Sequence, residues 1–517
     1  VGAPNTVAFS DLTGPQLEMW FAQQVEPDNP LFDSRAYVDI QGEIDIETFF
    51  QAVRRFVDEA DVLHLRFTET AAGPVQYLDT TRACAVAFVD VSERADPDAA
   101  AWQMMQEASS SLFNLIAGPT FTQQLFKLGH AHYIWYQRYH HIAMDGASVP
   151  IAIRRVMQIY GALTSGQAVP LAEFGGLDTM LQSDQAYRRS ARHEVDRLYW
   201  LDYVARLPWP QTVCGAPAEG SGAFNRASAP LPPALAGRLA ASGENASRWP
   251  QLLTAIVAAY LFRVSDSRVT VFDFPVAARP KEARAMPGMF ANVLPLQLHL
   301  SPRSTVAELS RQVGAEVFKH VKHQQFRGKD IKQMRGLEAG PIFGPRINII
   351  PFEDEWDFAG SPATSHSLAN GLVHDLAITV IGTPGKAGCM LHVDGNATLY
   401  DARALDAHKQ RLLHFIDTAL AAPERPIEEI ELVDAEERQL LLETWNATHA
   451  PYPAHLCIHQ RFEEQVRRTP QATAVLAGET ALSYAELNAR ANRLAHHLVD
   501  LGVVPDSPVA VCMQRHA

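Results

Sequence analysis

The stretch YHHIAMDGAS, residues 139–148, sets two adjacent histidines just ahead of an Asp-Gly pair, His141 lying four residues before Asp145. It closes the run HAHYIWYQRYHH (130–141), which is rich in aromatic and β-branched residues and contains neither Gly nor Pro. Such a run predicts a strand. Successive strand side chains face opposite ways. His140 then shares a face with Arg138, Tyr136 and Ile134, and His141 shares the other with Tyr139, Gln137 and Trp135. Histidines that point apart do not readily ligate one metal, and no regular ligand spacing follows them, so no metal is expected here. Two readings remain. The pair is either an ordinary hydrogen-bonded strand end or part of a reactive loop. For the second, Gly146 permits close backbone approach, and a neutral histidine accepts a proton near pH 7. Asp145 can hold the loop or pair with an arginine, and an amide N–H near Gly146 can face a developing oxyanion. This constellation suits acyl transfer without a covalent enzyme intermediate. No Gly-x-Ser-x-Gly elbow competes with it, and no cysteine sits in a nucleophile motif.

The bulk numbers frame that reading. A chain of 517 residues, 47% hydrophobic and 20% charged, is expected to hold two to four folding units of a globular protein. A formal net charge of −14 disfavours a nucleic-acid partner, despite the locally basic stretch 319–335. No apolar run is long enough to span a bilayer, and the N-terminal residues do not read as a signal peptide. The five cysteines (84, 214, 389, 457 and 512) have no CxxC spacing. A cytoplasmic location is expected on that ground, and the triplets at Asn245, Asn396 and Asn446 then carry no glycan.

Along the chain, LTGPQLEMWFAQQ reads as a helix with capping-box spacing from Thr13 to Gln16 and Pro15 in its first turn. EIDIETFFQAVRRFVDEA predicts a second helix leading to a strand near 62–67, and SVPIAIRRVMQIYGALTSG a third, after the Asp-Gly loop. SDQAYRRSARHEVDRLYWLDYVARLP predicts one long helix ending at Pro208, and 214–225 a loop. The second half mixes a helix, QLLTAIVAAYLFRV, with strands at VTVFDFPVA, VLPLQLHL, RINIIPF, LAITVIG and MLHVDG. This is α/β or α+β content in two comparable halves. From about 420 the chain turns acidic and then proline-containing, which predicts a boundary. Beyond it, LSYAELNARANRLAHHLVDLGV opens on a capping box (Ser483, Glu486), with Leu487, Ala491, Leu494 and Leu498 along one face.

HHIAMDG resembles the HHxxxDG signature of nonribosomal peptide synthetase condensation domains, within the chloramphenicol-acetyltransferase-like acyltransferases. Companion segments follow in order. TGPQLEMW (13–20) is similar to the opening SxAQxxxW segment. ADVLHLRF (60–67) is similar to HExLRTxF, with Asp61 for the glutamate and His64 for the arginine. YWLDYVARLP (199–208), VAARP (276–280), PGMFANVLPL (287–296), KHQQF (322–326) and GPIFGPRINI (340–349) resemble later segments. YIWYQRYHH is most similar to the condensation domain of a siderophore synthetase subunit that activates serine. The ending resembles the opening of an adenylation domain.

The resemblance implies an α/β (α+β) fold of two lobes, a V-shaped pseudo-dimer with a central tunnel. The expected layout is an N-terminal lobe (1–175), a C-terminal lobe (176–430), a linker (431–457) and a truncated adenylation N-terminus (458–517). It implies that donor and acceptor carrier proteins dock at the two tunnel mouths. Their phosphopantetheine arms, or CoA for the donor, deliver the substrates, and the domain itself binds no cofactor. His141 is then the base or the amine-positioning group, and Gly146 lines the tunnel beside it. Asp145 pairs with Arg279, His140 supports the loop, and Ser148 and Asn292 either line the tunnel wall or serve packing and strand-end hydrogen bonding. The downstream adenylation domain is a further partner. Intact histidines and Asp145 disfavour a docking-only domain, and the lack of a DxxxxD motif disfavours heterocyclisation. The donor is either an aminoacyl or peptidyl carrier, or an acyl-CoA or acyl carrier used by a starter domain. The chain begins shortly before its first motif, which leans toward the starter. A stand-alone acyl-CoA-dependent acyltransferase and a non-catalytic carrier-docking domain remain the rivals from other classes.

Overall fold

The aromatic run before the Asp-Gly loop forms a strand, His132–His140, in the middle of a six-stranded sheet. The structure is a computed structural model. It describes residues 8–513 except 82–83, 217–222, 242–247, 266–267, 338–342, 352–354, 386–388 and the side chain of Asn370. Asn245 and parts of the segments 214–225, 340–349 and 346–352 therefore lie outside the described residues.

Two large sheets organise the chain up to Asp434. Their strands, in chain order, are β1 (Asp33–Gln41), β2 (Val86–Asp90), β3 (Phe121–Gly129), β4 (His132–His140), β5 (Phe224–Pro230), β6 (Val271–Val276), β7 (Asn292–Gln297), β8 (Arg346–Ile350), β9 (Glu355–Phe358), β10 (Ser361–Asn370), β11 (Leu376–Ile381) and β12 (Met390–Asn396). The first sheet has the order β9-β10-β1-β4-β3-β2, and only the β2–β3 pair is parallel. The second has the order β7-β6-β8-β11-β12-β5, with β8 parallel to both of its neighbours. One core forms between the first sheet and the helices Ile46–Glu59 and Ser148–Thr164. A second forms between the other sheet and the helices Trp249–Val264, Val306–Lys322 and Ala402–Ala421.

A central strand covered on both faces is usually apolar, yet β4 carries Gln137 and Arg138. Arg138 and the Gln137 side-chain oxygen have partners, while Gln137 Nε2 is buried without one among the described residues. On one face Trp135 Nε1 donates to Gln123 Oε1 (2.8 Å), Gln123 Nε2 to the Tyr139 hydroxyl (2.8 Å), and that hydroxyl to Gln137 Oε1 (2.9 Å). On the other, Arg138 pairs with Asp33, donates to Ala108 O (2.8 Å) and Ser111 Oγ (2.8 Å), and lies 4.3 Å over the Phe113 ring. The faces divide as the alternation predicts.

Two local expectations need correction. The helix expected to run unbroken from 183 to 208 is two helices, Leu177–Arg189 and Ala191–Val204. Ser190 separates them: its backbone is extended (ψ 154°) and its hydroxyl accepts the His193 N–H, capping the second. The strand expected near 62–67 begins later, at Leu65, after a 3-10 turn over Asp61–Leu63. β9 and β10, from residues 355–370, complete the first sheet beside β1.

Contacts divide the chain into Val1–Asp434 and Ala435–Ala517. The second unit holds the helices Ile458–Arg468 and Tyr484–Asp500 and the strand pair Thr473–Ala477/Thr480–Ser483. Ser483 and Glu486 form the expected capping box. Leu482 is the one fully buried hydrophobic residue of that unit among the described residues. No helix among the described residues is long and apolar enough to cross a membrane.

Three histidines are buried in neutral form. His140 Nδ1 accepts the Ile142 N–H, so its Nε2 donates to Gln23 Oε1 (3.1 Å). His320 Nε2 donates to Pro295 O (2.9 Å) while Nδ1 takes the Tyr199 hydroxyl (3.0 Å), and His392 Nδ1 bonds Ser228 (2.8 Å). Burial pushes their pKa values down to about 3, 4 and 3. An unfolded histidine titrates near ~6.5. Below that pH the unfolded chain binds protons that the fold refuses, so stability is complete above it and is lost as pH falls toward 4. We expect a loss of about 1.4 kcal/mol per pH unit for each such histidine, read as a lower urea midpoint at pH 5 than at pH 7.

Candidate functional site

β4 stops at His140, and residues 141–147 form a tight loop before the helix Ser148–Thr164. The loop is pinned at several points. The His141 N–H donates to Phe32 O (2.9 Å), and Ala143 and Met144 both donate to His140 O (2.9 and 3.1 Å). His140 packs its ring edge-on against Phe113 (5.9 Å) and spends both nitrogens on Ile142 and Gln23. It braces the loop from behind and has no nitrogen left for a substrate.

Asp145 is 1% exposed and saturated. Its Oδ1 accepts from the Ser148 N–H (3.0 Å), the Ser148 hydroxyl (2.9 Å) and Arg279 (2.5 Å). Its Oδ2 accepts the N–H groups of Phe290 and Ala291 (3.0 Å each). With five donors on its two oxygens, the carboxylate is engaged entirely within the protein. Arg279 completes the knot, donating also to Met286 O (2.5 Å) and Ser148 Oγ (2.6 Å) and lying 4.7 Å over the Phe290 ring. Asp145 precedes a helix packed on the first sheet, whereas Arg279 follows β6 and Phe290 precedes β7. The clamp therefore ties the two sheets together at the histidine loop.

Ser148 and Asn292, expected at a tunnel wall, are buried and fully engaged. The Ser148 hydroxyl lies between Asp145, Arg279, Gly288 O (3.0 Å) and Gly288 N (3.1 Å). Asn292 donates to Gln324 O and Phe326 O (2.8 Å each) and accepts from Val293 (3.0 Å) and Gly328 (2.9 Å). Their chemistry is that of braces. Gly146 differs. It is partly exposed, and its N–H has no partner among the described residues.

His141 is partly exposed, with burial as the main influence on its ring. Burial lowers its pKa, Asp33, Asp145 and a hydrogen bond to the Met144 backbone pull it up, and Arg346 pushes it down; the net shift is downward. The ring is thus neutral at neutral pH and can accept a proton. Residues that sequence reasoning missed surround it. Gly371, in the β10–β11 loop with φ +81°, lies so close that a Cβ there would sit 3.2 Å from His141 Nε2. Asp33 on β1 is held by Arg35 (2.7 Å) and Arg138. No local pattern marks either residue, because both arrive through strand pairing. Beside the clamp, a small cavity of about 40 Å³ is lined by Thr13, Pro15, Met180, Asp184, Phe290 and Arg327. It joins the TGPQLEMW and PGMFANVLPL segments, which lie far apart in the chain.

The profile of the condensation domain family matches residues 8–442, and that of AMP-binding enzymes matches 462–517. A dimodular nonribosomal peptide synthase from Bacillus subtilis (strain 168) is 34% identical over 508 residues, covering 98% of this chain and 21% of that protein. Isonitrile lipopeptide synthase from Streptomyces coeruleorubidus is 30% identical (98% and 34% covered), and enterobactin synthase component F from Escherichia coli (strain K12) is 28% identical (98% and 39%). The chain thus spans between about a fifth and two fifths of these relatives. Among solved structures, the starter condensation domain of rhizomide synthetase RzmA in complex with C8-CoA and Leu-SNAC is similar at 33% identity and TM-score 0.78, covering 82% of this chain and 98% of that one. The first condensation domain of the calcium-dependent antibiotic synthetase is similar at 30% identity and TM-score 0.77, covering 83% and 100%.

Replacing Asp145 by Asn strips the charge from a buried pair and leaves Arg279 uncompensated. We expect Asp145→Asn to cost about 3–5 kcal/mol, measured by urea denaturation, with Arg279→Ala adding much less on top of it than alone.

Proposed function

The chain belongs to the condensation domain family over residues 8–442, followed by the start of an AMP-binding enzyme, and from that premise we propose how its own residues carry out the reaction. Condensation domains are amide-forming acyltransferases of nonribosomal peptide synthetases. In our reading the α-amine of an aminoacyl thioester on an acceptor carrier attacks the carbonyl carbon of a donor acyl thioester. The C–N bond forms, the C–S bond breaks, and the proton shed by nitrogen passes to the departing sulfur. The phosphopantetheine arms of carrier proteins, or CoA on the donor side, bring these substrates as cargo. The domain contributes geometry and polar groups and holds no cofactor of its own.

His141 is the group that receives the amine proton, as base or through a positioning hydrogen bond. The single observation that carries this is its neutral, partly exposed ring, set at the junction of the two sheets by the Asp145–Arg279 clamp. The unpartnered Gly146 N–H supports a role beside the reacting carbonyl. His140, Asp145 and Arg279 act as scaffold, and we assign Ser148 and Asn292 to the same scaffold because their polar atoms are spent. We keep the functional layout 1–175, 176–430, 431–457 and 458–517, the last being the beginning of the adenylation partner.

Similarity to a starter domain in complex with C8-CoA, and to a lipopeptide synthase, favours a starter condensation domain that N-acylates the first amino acid. Five cysteines without disulfides suit a cytoplasmic setting.

The test is an acylation assay with an aminoacyl carrier as acceptor and either C8-CoA or an aminoacyl carrier as donor. We expect product from C8-CoA, and a loss of about 10²–10⁴-fold in His141→Ala. Equal product from wild type and His141→Ala would defeat the reading, and turnover only with an aminoacyl donor would replace the starter by an internal condensation domain. Because burial lowers the His141 pKa and the neutral ring is the active form, kcat/KM should fall on the acid side below the ordinary histidine range. Gly371→Ala crowds Nε2 and should lower kcat on the order of 10–100-fold, with the melting temperature checked alongside.

A further inference from the structure

Arg346 opens β8, in register with Ala377 of β11 on one side and Asp273 of β6 on the other. The loop that leads into β11 carries Gly371 against the His141 imidazole and, three residues later, His374. Two neighbouring strands thus bring Arg346 and the loop facing His141 to the same end of the second sheet.

The charges there are unevenly matched. Four charged or titratable groups face His141: Asp33 from β1, Asp145 from its own loop, Arg346 from β8, and His140 beside it. Asp33 is taken by Arg35 and Arg138, and Asp145 by Arg279. His140 is neutral. Arg346 has no such partner. Among the described residues no side-chain hydrogen bond or ion pair reaches it, and its Nε is buried without an acceptor. The neighbouring carboxylate, Asp273, spends Oδ1 on the N–H groups of Phe343 (2.6 Å) and Gly344 (3.3 Å). Burial raises the Asp273 pKa to about 6 even with Arg346 beside it. A buried donor without an acceptor is costly and calls for an explanation. Arg279 Nε and Gln137 Nε2 share that state, but the Arg279 and Gln137 side chains have other bonds within the protein, whereas that of Arg346 has none among the described residues.

We propose that Arg346 is a catalytic residue of amide formation: its guanidinium donates to the carbonyl oxygen of the donor thioester and holds the negative charge that oxygen gains when the amine adds. This rests on His141 as the group that receives the amine proton. In the addition step the C–N bond forms and the carbonyl π pair moves onto oxygen, facing Arg346. On collapse that pair re-forms the C=O bond and the C–S bond breaks. The proton from nitrogen passes by way of His141 to sulfur, and Arg346 neither gains nor loses one. A fixed cation aimed at the developing charge acts strongly in a site shielded from water. Burial is what chiefly lowers the His141 pKa, and the Arg346 charge adds a smaller push in the same direction.

The full chain carrying Arg346→Gln or Arg346→Lys is compared with wild type on the donor thioester that wild type uses, C8-CoA or an acyl carrier. We expect Arg346→Gln to lose about 10²–10³-fold in kcat, with KM for either substrate nearly unchanged and the acid limb of the pH profile moved to higher pH. Arg346→Lys keeps the charge but not the fork, so it should hold the limb in place and recover part of kcat. Unaltered melting temperatures show that folding is not what changed. A kcat for Arg346→Gln within about threefold of wild type, well short of a lost oxyanion donor, overturns the proposal, as does a loss confined to the KM of the acceptor. His141→Ala in the same assay keeps the two ideas apart. If that variant is active the underlying reading fails, whereas an inactive His141→Ala beside a fully active Arg346→Gln sinks only the present inference.

Discussion

The buried contact between Asp145 and Arg279 is the constraint on which the rest of the site depends. It joins a loop of the first sheet to two connections of the second, and each oxygen of the carboxylate has more than one donor. A buried ion pair is a weak source of net stability, because desolvation offsets its attraction, but breaking one is expensive. Its value here is geometric. The charged pair can be satisfied in one arrangement of the two sheets, so the backbone between His140 and Ser148 has little freedom. His141 hangs from that fixed loop with its ring turned toward the junction.

Burial sets the protonation of the neighbouring groups more than any single charge does. Burial keeps His140 neutral and its two hydrogen bonds fix its tautomer, while His141 is only partly shielded and remains open to chemistry. The anions nearby, Asp33 and Asp145, are each neutralised by arginines of their own. They therefore do not turn the imidazole into an imidazolium. A strand as hydrophobic as β4 tolerates Arg138 for the same reason: its guanidinium never loses its acceptors.

Much of this was legible in the sequence. Period-two alternation separated His140 from His141, and capping chemistry marked the helices at Thr13 and Ser483. The ordered motifs pointed to Arg279 as the partner of Asp145, although 134 residues separate them. What escaped was information that exists only in three dimensions. Gly371, Asp33 and Arg346 reach the site through strand register, and no local pattern distinguishes them from residues of an ordinary turn or strand end. Ser148 and Asn292 were placed at the tunnel wall by resemblance alone, with packing or strand-end hydrogen bonding as the other reading. Their actual partners lie on loops whose approach depends on the second sheet. The helical pattern across Ser190 hid a break because apolar spacing continues on both sides of it, while the cap is a single hydroxyl.

The hairpin β9–β10 has a consequence for how this chain is made. It belongs to the second half of the sequence, yet it covers the open edge of β1 in the first sheet. During synthesis that edge must wait for some 300 residues, roughly 15–60 s at ribosomal rates, with unpaired amide and carbonyl groups exposed along nine residues. The first half therefore emerges as an unfinished sheet whose β1 edge is open to mispairing until the hairpin arrives. Slow passage through this window, or a chaperone that shields Asp33–Gln41, would decide the yield of folded protein before any question of its chemistry arises.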